Sequence, residues 1–449
     1  MIHKYQKNGL NIVLDVDTST VLTVDELTFA LLDHYQVKTR AEIIKDFEEH
    51  YSVIELNECL DELDSVKAAG LLFREINYHR ESYANNDLIK ALCLHVAHDC
   101  NLKCSYCFAA QGDFDGEKLL MPLEVGKKAI DFIIEQSKNR ENLEVDFFGG
   151  EPLMNLDVVK QLVVYGNEMA AKHDKKFKFT MTTNGVLLDA KTREYLNETM
   201  DNIVLSLDGR KEVNDQMRQT INDRGSFDVI IDNIKAMAKM RGDKDHYVRG
   251  TYTHHNLDFA KDVEFLAKEG FTSISVEPVV AEATHDYALT ESDLPTIMEE
   301  YDALALAYLK RHQEGLHYNF FHFNVDLDHG PCVYKRLSGC GAGKDYVAVT
   351  PEGDIYPCHQ FVGNEAFKMG DVRSGITNGE IKKIFDAGNL LEKEACQTCW
   401  AKYFCGGGCH ANAYNFNGTI MKPHFVSCEI ERRRVENAIM ISIIEGEQE

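Results

Sequence analysis

The sequence is short of positive charge: 48 Lys and Arg stand against 73 Asp and Glu, a formal net charge of −25 over 449 residues. General nucleic-acid binding needs a basic surface, so no nucleic-acid partner is expected, a local basic groove aside. No apolar run approaches the roughly 18 residues that suggest a membrane span. Met1 to Leu14 carries no signal-peptide pattern, so a cytoplasmic location without membrane contact is expected. Internal repeats and low-complexity tracts are missing. Cysteine is absent between Cys107 and Cys332, and this gap divides the thirteen cysteines of the chain. Three fall within Cys100–Cys107, eight within Cys332–Cys428, and Cys59 and Cys93 stand apart. Disulfides are disfavoured in a reducing compartment, which leaves two metal or catalytic regions.

A chain of this length exceeds one ordinary core, so two or three domains are expected. In residues 1–85, Asn11–Asp15 and Thr20–Thr23 read as short strands. Leu27–Tyr35, Arg40–His50 and Ile54–Ala68 read as helices, the first capped by Asp25, and Leu71–Ile76 as a final strand. This pattern predicts a winged-helix-like module. It lacks a basic recognition helix, so a peptide is the expected ligand; a plain structural extension is the alternative. Over residues 90–314, strands at Leu92–Ala97, Leu143–Phe148, Phe177–Thr182, Ile203–Leu207, His246–Tyr252 and Ser273–Pro278 alternate with helices. Those helices are read near Val125–Glu135, Val158–Ala171, Phe227–Met240, Phe259–Lys268 and Ser292–Arg311. Six β-then-α units predict the α/β class and a partial (β/α)6 TIM-like barrel with its site at the C-terminal strand ends. Over 315–449, Asp345–Thr350 and Asp354–Tyr356 flank Pro351-Glu352-Gly353 as a hairpin, and a C-terminal helix ends the chain. This last segment has little apolar periodicity and is expected to depend on metal for its shape.

Cys100, Cys104 and Cys107 follow the first barrel strand closely enough for their thiolates to converge on one centre. Structural zinc takes four ligands, so a zinc site would need His95 or His98 to complete it. Thiolates equally suit iron–sulfur clusters. Three of them leave one iron of a 4Fe–4S cluster open, where the amine and carboxylate of an amino acid could chelate.

The Cys-x3-Cys-x2-Cys spacing, with Tyr106 before the last cysteine, resembles the signature of the radical S-adenosylmethionine (SAM) superfamily. Phe148-Gly149-Gly150-Glu151-Pro152 resembles its Gly-Gly-Glu motif. Thr182-Thr183-Asn184-Gly185 and Ser206-Leu207-Asp208-Gly209 resemble its third- and fourth-strand motifs, and Arg218 precedes Gly225-Ser226-Phe227. The resemblance implies SAM as cofactor, bound through Gly149, Gly150, Glu151, Asn184, Ser206, Asp208 and Arg218. In such relatives the Gly-Gly-Glu segment holds the methionyl amine and the arginine pairs the carboxylate. For Ser206, Asp208 and Arg218 a helix cap, turn or surface pair stays open. Glu277 on the sixth strand is a further candidate contact.

Cys396-x2-Cys399-x5-Cys405-x3-Cys409, followed by Cys428 and preceded by Cys340 and Cys358, resembles the SPASM domain, a carrier of two auxiliary 4Fe–4S clusters. A two-zinc ribbon is the alternative. The resemblance assigns Cys340, Cys358 and Cys409 to the first auxiliary cluster and Cys396, Cys399, Cys405 and Cys428 to the second, for three 4Fe–4S clusters in all. Cys332 is either the fourth ligand of the first auxiliary cluster or a bystander beside an open iron that could bind a substrate thiolate.

Two subfamilies compete. Anaerobic sulfatase-maturing enzymes make formylglycine and typically place an aspartate after the cysteine equivalent to Cys358, where this chain has His359. Ile2–Asp15, Gly339–Gly343, Val349–Gly353 and Tyr356–Gly363 resemble instead the maturases of short six-cysteine SCIFF peptides, over essentially the whole chain. That resemblance implies thioether links between cysteine thiols and acceptor carbons of a cysteine-rich precursor peptide, whose leader the N-terminal domain binds. An electron donor such as flavodoxin or ferredoxin is also implied. A formylglycine-generating or other oxidising maturase, and a non-catalytic zinc adaptor, are the alternatives.

Overall fold

Strands β1 (Ile2–Lys7), β2 (Leu10–Asp15) and β3 (Val21–Val24) form an antiparallel meander that precedes α1 (Glu26–Leu31), α2 (Arg40–Phe47) and α3 (Val53–Ala68). The computed structural model describes residues 1–74, 88–114, 116–327 and 337–446. Asn8 and Gly9 close the β1–β2 hairpin with φ of 50° and 78°, the primed two-residue turn that matches strand twist. Asp25 caps α1, and Thr39 and Ser52 form capping boxes with Glu42 and Glu55. The strand expected at Leu71–Ile76 is not formed over Leu71–Arg74, and its remainder lies outside the described residues. Alternation along β2 serves two cores. Val13 packs with Leu31, Ile43, Leu56 and Leu63 inside the N-terminal unit, whereas Ile12 and Leu14 enter the main core of the protein.

The main sheet holds β4 (Ala91–His98), β6 (Asn142–Gly149), β7 (Lys176–Thr183), β8 (Asn202–Ser206), β9 (His246–Tyr252) and β10 (Ser273–Pro278), all parallel and side by side in chain order. A short β5 (Leu119–Leu120) pairs with the end of β4. The intervening helices are α4 (Leu123–Gln136), α5 (Leu156–Lys172), α6 (Ala190–Thr199), α7 (Lys211–Met217), α8 (Phe227–Arg241), α9 (Phe259–Lys268) and α10 (Leu294–Gln313). Leu143, Val145, Phe147, Ile203, Leu205, Val248, Ile274 and Val276 form the buried apolar face of the sheet. Register then sets His95 beside Phe148, Asp146 beside Thr180, Ser206 beside Arg249 and Thr251 beside Glu277 on the opposite, inner face.

Two strands extend this sheet beyond the six units read from the sequence. β11 (Asn319–Phe320) adds in parallel to β10, and β12 (Tyr346–Val349) adds in parallel to the other side of β4. β12 turns into β13 (Asp354–Tyr356), followed by β14 (Gly370–Asp371) and β15 (Gly375–Ile376). The hairpin therefore brings Cys358 next to β4 and the first cysteine loop. Val347, Val349, Ile355, Phe385 and Ile439 of the C-terminal segment all join the main core, an apolar contribution that its weak periodicity did not show.

The C-terminal helix (Phe425–Gly446) and α10 meet the N-terminal meander around Asp302, which takes Lys7 Nζ at 2.6 Å, Asn437 Nδ2 at 3.0 Å and Arg433 Nη1 at 3.3 Å. His3 stacks on Trp400 with ring centroids 3.7 Å apart. Among the described residues no helix is long and apolar enough to cross a membrane.

Candidate functional site

β4 is buried along its whole length and delivers Cys100, Cys104 and Cys107 in the loop that follows. That loop is gripped from two sides. On one, Gly150 N donates to Ala97 O at 2.8 Å and Glu151 N to Asp99 O at 2.9 Å. The approach is so close that a Cβ on Gly149 or Gly150 would fall 2.2 Å from the carbonyl oxygen of Ala97 or Asp99. On the other, Lys103 N and Ser105 N donate to the carbonyls of Gln219 and Met217, each at 2.8 Å. Burial pushes the Cys100 and Cys104 thiols up to about 12 and raises Cys107 as well. Thiols so hard to ionise become thiolates against a cationic centre, and a metal cluster supplies one.

Glu151 is fully buried and accepts from Leu153 N (3.0 Å), Thr183 Oγ1 (2.8 Å) and Asn184 N (2.8 Å). Burial pushes its carboxyl up to about 7 against the pull of those bonds. The side chain thus ties the second-strand motif to the third, as a positioning residue. Asn184 Nδ2 in turn donates to Asn101 Oδ1 at 2.8 Å and approaches Cys100 Sγ at 3.7 Å.

Ser206 ends β8 half-buried, on the inner face beside Arg249. Asp208, fully buried, accepts from the Tyr106 hydroxyl (2.8 and 2.9 Å), Arg218 Nε (3.1 Å) and Thr251 N (3.0 Å). The Arg218 guanidinium also lies 5.6 Å from the Tyr106 ring centroid. Burial opposes its charge, yet Asp208, Tyr106 and Cys104 hold Arg218 well above its ordinary value. The aromatic residue inside the cysteine motif therefore locks the first loop to the fourth-strand motif, a link that spacing alone did not reveal.

Proximity divides the seven described C-terminal cysteines into two sets. Cys358 is raised by burial and then by Cys340 and Cys409, and Cys340 also acts on Cys409. Burial likewise pushes Cys405 to about 12 and Cys428 to about 11. Cys396 acts on both, Cys428 on Cys405, and Cys399 on Cys396 and Cys428. Cys332 lies outside the described residues. Burial raises the Cys340 and Cys409 thiols as well.

One layer of rings joins the two regions. Phe108, next to Cys107, and Phe148, next to Gly149, each place a centroid 5.1 Å from that of His359, next to Cys358. The Tyr346 hydroxyl lies 3.3 Å from His359 Nδ1, and burial, with Arg249 adding, pushes His359 down to about 4. Glu277 pairs with Arg249 at 2.7 Å. Burial works against its charge, but Arg249 holds the carboxyl below its ordinary value. This pair on the inner face also feels Tyr106, Arg218 and His359, so it spans the space between the two cysteine regions. Sequence reasoning missed Arg249; its place between alternating buried residues of β9 was the available signal.

His95 Nδ1 and His98 Nε2 share a hydrogen bond of 3.1 Å and both rings pack on Phe114. Burial pushes His98 down to about 4 and holds His95 well below its ordinary value. Neither completes a zinc site, and among the described residues no group of three or more His, Cys, Asp or Glu could hold a single metal ion. The donor set, three thiols in one loop and seven more among the described residues of the C-terminal segment, has the softness that iron–sulfur clusters take.

The Radical SAM superfamily model matches residues 94–276, and the SPASM iron–sulfur cluster-binding domain model matches residues 340–400. A cysteine-type anaerobic sulfatase-maturating enzyme of Clostridium novyi (strain NT) is 25% identical over 343 residues, 72% of this chain and 89% of that one. Native anSMEcpe with bound AdoMet superimposes with a TM-score of 0.63 at 18% identity, over 79% of this chain and 98% of that one. Streptococcus suis SuiB bound to precursor peptide SuiA superimposes with a TM-score of 0.54 at 16% identity, over 95% and 98%. These structural likenesses establish the fold. The first matched segment holds Cys100 through Arg218, the second Cys340 through Cys399, and together they imply SAM and 4Fe–4S clusters as cofactors. Residues 94–276 of this chain are a radical SAM superfamily domain, and residues 340–400 behind its parallel sheet are a SPASM iron–sulfur cluster-binding domain.

Proposed function

We propose that this protein is a peptide maturase that closes thioether links between cysteine thiols and acceptor carbons in a short, cysteine-rich, SCIFF-type precursor. The observation that carries the reading is the single ring layer, Phe108, Phe148 and His359, between the first cysteine loop and the Cys340, Cys358 and Cys409 set. A carbon to be activated and a thiol to be joined to it can then lie in one space.

The reading takes residues 1–85 as a winged-helix-like leader-recognition unit, 90–314 as the radical SAM barrel and 315–449 as the SPASM domain. It assigns three 4Fe–4S clusters, on Cys100, Cys104 and Cys107, on the Cys340, Cys358 and Cys409 set, and on Cys396, Cys399, Cys405 and Cys428. Cys100, Cys104 and Cys107 would hold the first cluster, which with SAM bound would supply the radical chemistry that removes a substrate hydrogen. Arg218, fixed by Asp208 and Tyr106, pairs the cofactor carboxylate. Arg249 and Glu277 orient the peptide, and the ring layer excludes water. The fourth ligand of the Cys340 set is either Cys332 or the substrate thiol.

Leader binding is supported by a groove between β3 and α3, a cavity of about 240 Å³ lined by Leu22, Val24, Thr28, Cys59, Leu63 and Leu72. An extended leader adding along β3 would place alternate apolar side chains there, with Asp25 and Glu62 favouring a basic residue beside them.

Formylglycine formation is a second reading, favoured by the Clostridium novyi relative and disfavoured by His359. Co-expression with a six-cysteine precursor, followed by fragmentation mass spectrometry, separates the two. A thioether removes two hydrogens, keeps the sulfur and blocks the thiol to alkylation; formylglycine loses the sulfur. A peptide of unchanged mass with every thiol free would reject both.

A further inference from the structure

Lys393 is fully buried. Lysine is almost never fully buried unless its charge is paired. Among the described residues, however, no carboxylate lies within ion-pair distance of this ammonium. Nζ donates to Gly407 O at 2.7 Å. Gly407 is the midpoint of Cys405-Gly406-Gly407-Gly408-Cys409, three glycines with φ of 73°, 96° and 73°. That left-handed turn sends its first cysteine to one set and its last to the other. The ammonium accordingly feels Cys396, Cys405 and Cys428 of one set, and Cys409 and Cys340 of the other. Burial holds the Lys393 ammonium below its ordinary value, and these cysteines are the groups that act against burial. The backbone is committed as well, since Cys396 N donates to Lys393 O at 2.9 Å as the chain turns into the second set.

We propose that Lys393 is the shared counter-cation of the two auxiliary centres: one buried ammonium at the joint of the Cys405–Cys409 turn offsets the negative charge of both thiolate sets and raises the reduction potential of each. The inference rests on the reading of both sets as cluster sites. Reduction adds an electron to a centre that is already anionic, and a cation held nearby in a medium of low polarisability favours the reduced state. A surface cation would be screened by water and salt; a buried one is screened much less.

The test uses the anaerobically reconstituted holoenzyme and the variants Lys393→Met and Lys393→Arg. The first removes the charge at similar length, and the second keeps it. Iron and sulfide are counted, and a redox titration followed by electron paramagnetic resonance reads each centre, the first cluster being recognised by its response to added SAM. The expected result is that Lys393→Met moves both auxiliary potentials to more negative values while Lys393→Arg stays near the parent. Loss of auxiliary iron in Lys393→Met but not in Lys393→Arg supports the same need for charge. Unchanged potentials in Lys393→Met, a shift confined to one centre, or equal iron loss in both variants overturns the proposal. A parent enzyme with fewer than two auxiliary centres overturns the cluster reading and this inference with it.

Discussion

Replacing Gly150 with alanine adds one methyl group where there is no room for it. An ideal Cβ would lie 2.2 Å from Asp99 O, 2.7 Å from Asp99 C and 3.0 Å from Gly112 Cα. Ordinary contact begins at 3.4 Å, so the end of β6 and the cysteine loop must separate by about 1.2 Å. All three atoms belong to backbone and cannot rotate aside. Gly150 is not among the glycines at positive φ, so alanine meets no backbone strain and the effect is displacement alone. The displaced segment carries Asp99 into Cys100, and a Cβ on Gly112 would itself lie 2.7 Å from Cys100 Cβ, so slack is missing on that side too. Overpacking of this kind costs about 1–3 kcal/mol. A shift of about 1 Å at a reacting geometry costs on the order of 10²-fold in rate. Gly150→Ala should therefore lower 5′-deoxyadenosine formation about 10²-fold when the reaction is run with a chemical reductant and no peptide. Iron at the auxiliary sites should be unchanged. A variant that cleaves SAM at the parent rate would refute the claim that the Gly-Gly turn positions Cys100.

Converting Cys100, Cys104 and Cys107 together to alanine should abolish deoxyadenosine formation and leave auxiliary iron in place; retained cleavage would sink the assignment of the first loop. Asp208→Asn leaves the buried Arg218 without its counter-charge, and breaking such a pair costs about 3–5 kcal/mol, so thermal stability and SAM affinity should both fall. Leu22→Asp in the β3–α3 groove should weaken binding of a leader peptide at least tenfold (about 1.4 kcal/mol) without changing peptide-independent SAM cleavage; unchanged affinity in a titration would remove the groove as the leader site. Burial, with Glu144 adding, pushes Asp146 up from its ordinary 3.8 to about 6. The folded state then prefers the protonated acid, and that contribution is lost as the pH rises from the ordinary carboxylate value to about 6. The stabilisation gained by Asp146→Asn should accordingly grow across that window and level off above it, as read from melting temperatures at stepped pH.

Much of the parallel sheet was legible because its signals are local. The strands His246–Tyr252 and Ser273–Pro278 and the helix Phe259–Lys268 fall where the apolar periodicity sets them. By contrast β1 was not read as a strand, because its pairing depends on the Asn8-Gly9 turn and on the main body packed against it. The two-residue strand β11 is too short to carry a pattern of its own.

The sequence by itself determined the chemistry available: the spacing of Cys100, Cys104 and Cys107, the order of the glycine, asparagine and aspartate motifs at successive strand ends, and the number of thiols behind the barrel. These are properties of neighbours along the chain. Tertiary structure alone decided how they are used. The addition of β12 to β4 sets Cys358 and His359 against Phe108, across a gap of some 250 residues. Tertiary packing also turned Glu151 inward onto Thr183 and Asn184, paired Glu277 with Arg249, and buried Lys393 against the Cys405–Cys409 turn. The physical reason is common to all four: burial and charge pairing depend on which distant segments pack together, and a residue's own letter and local spacing carry no record of that partner.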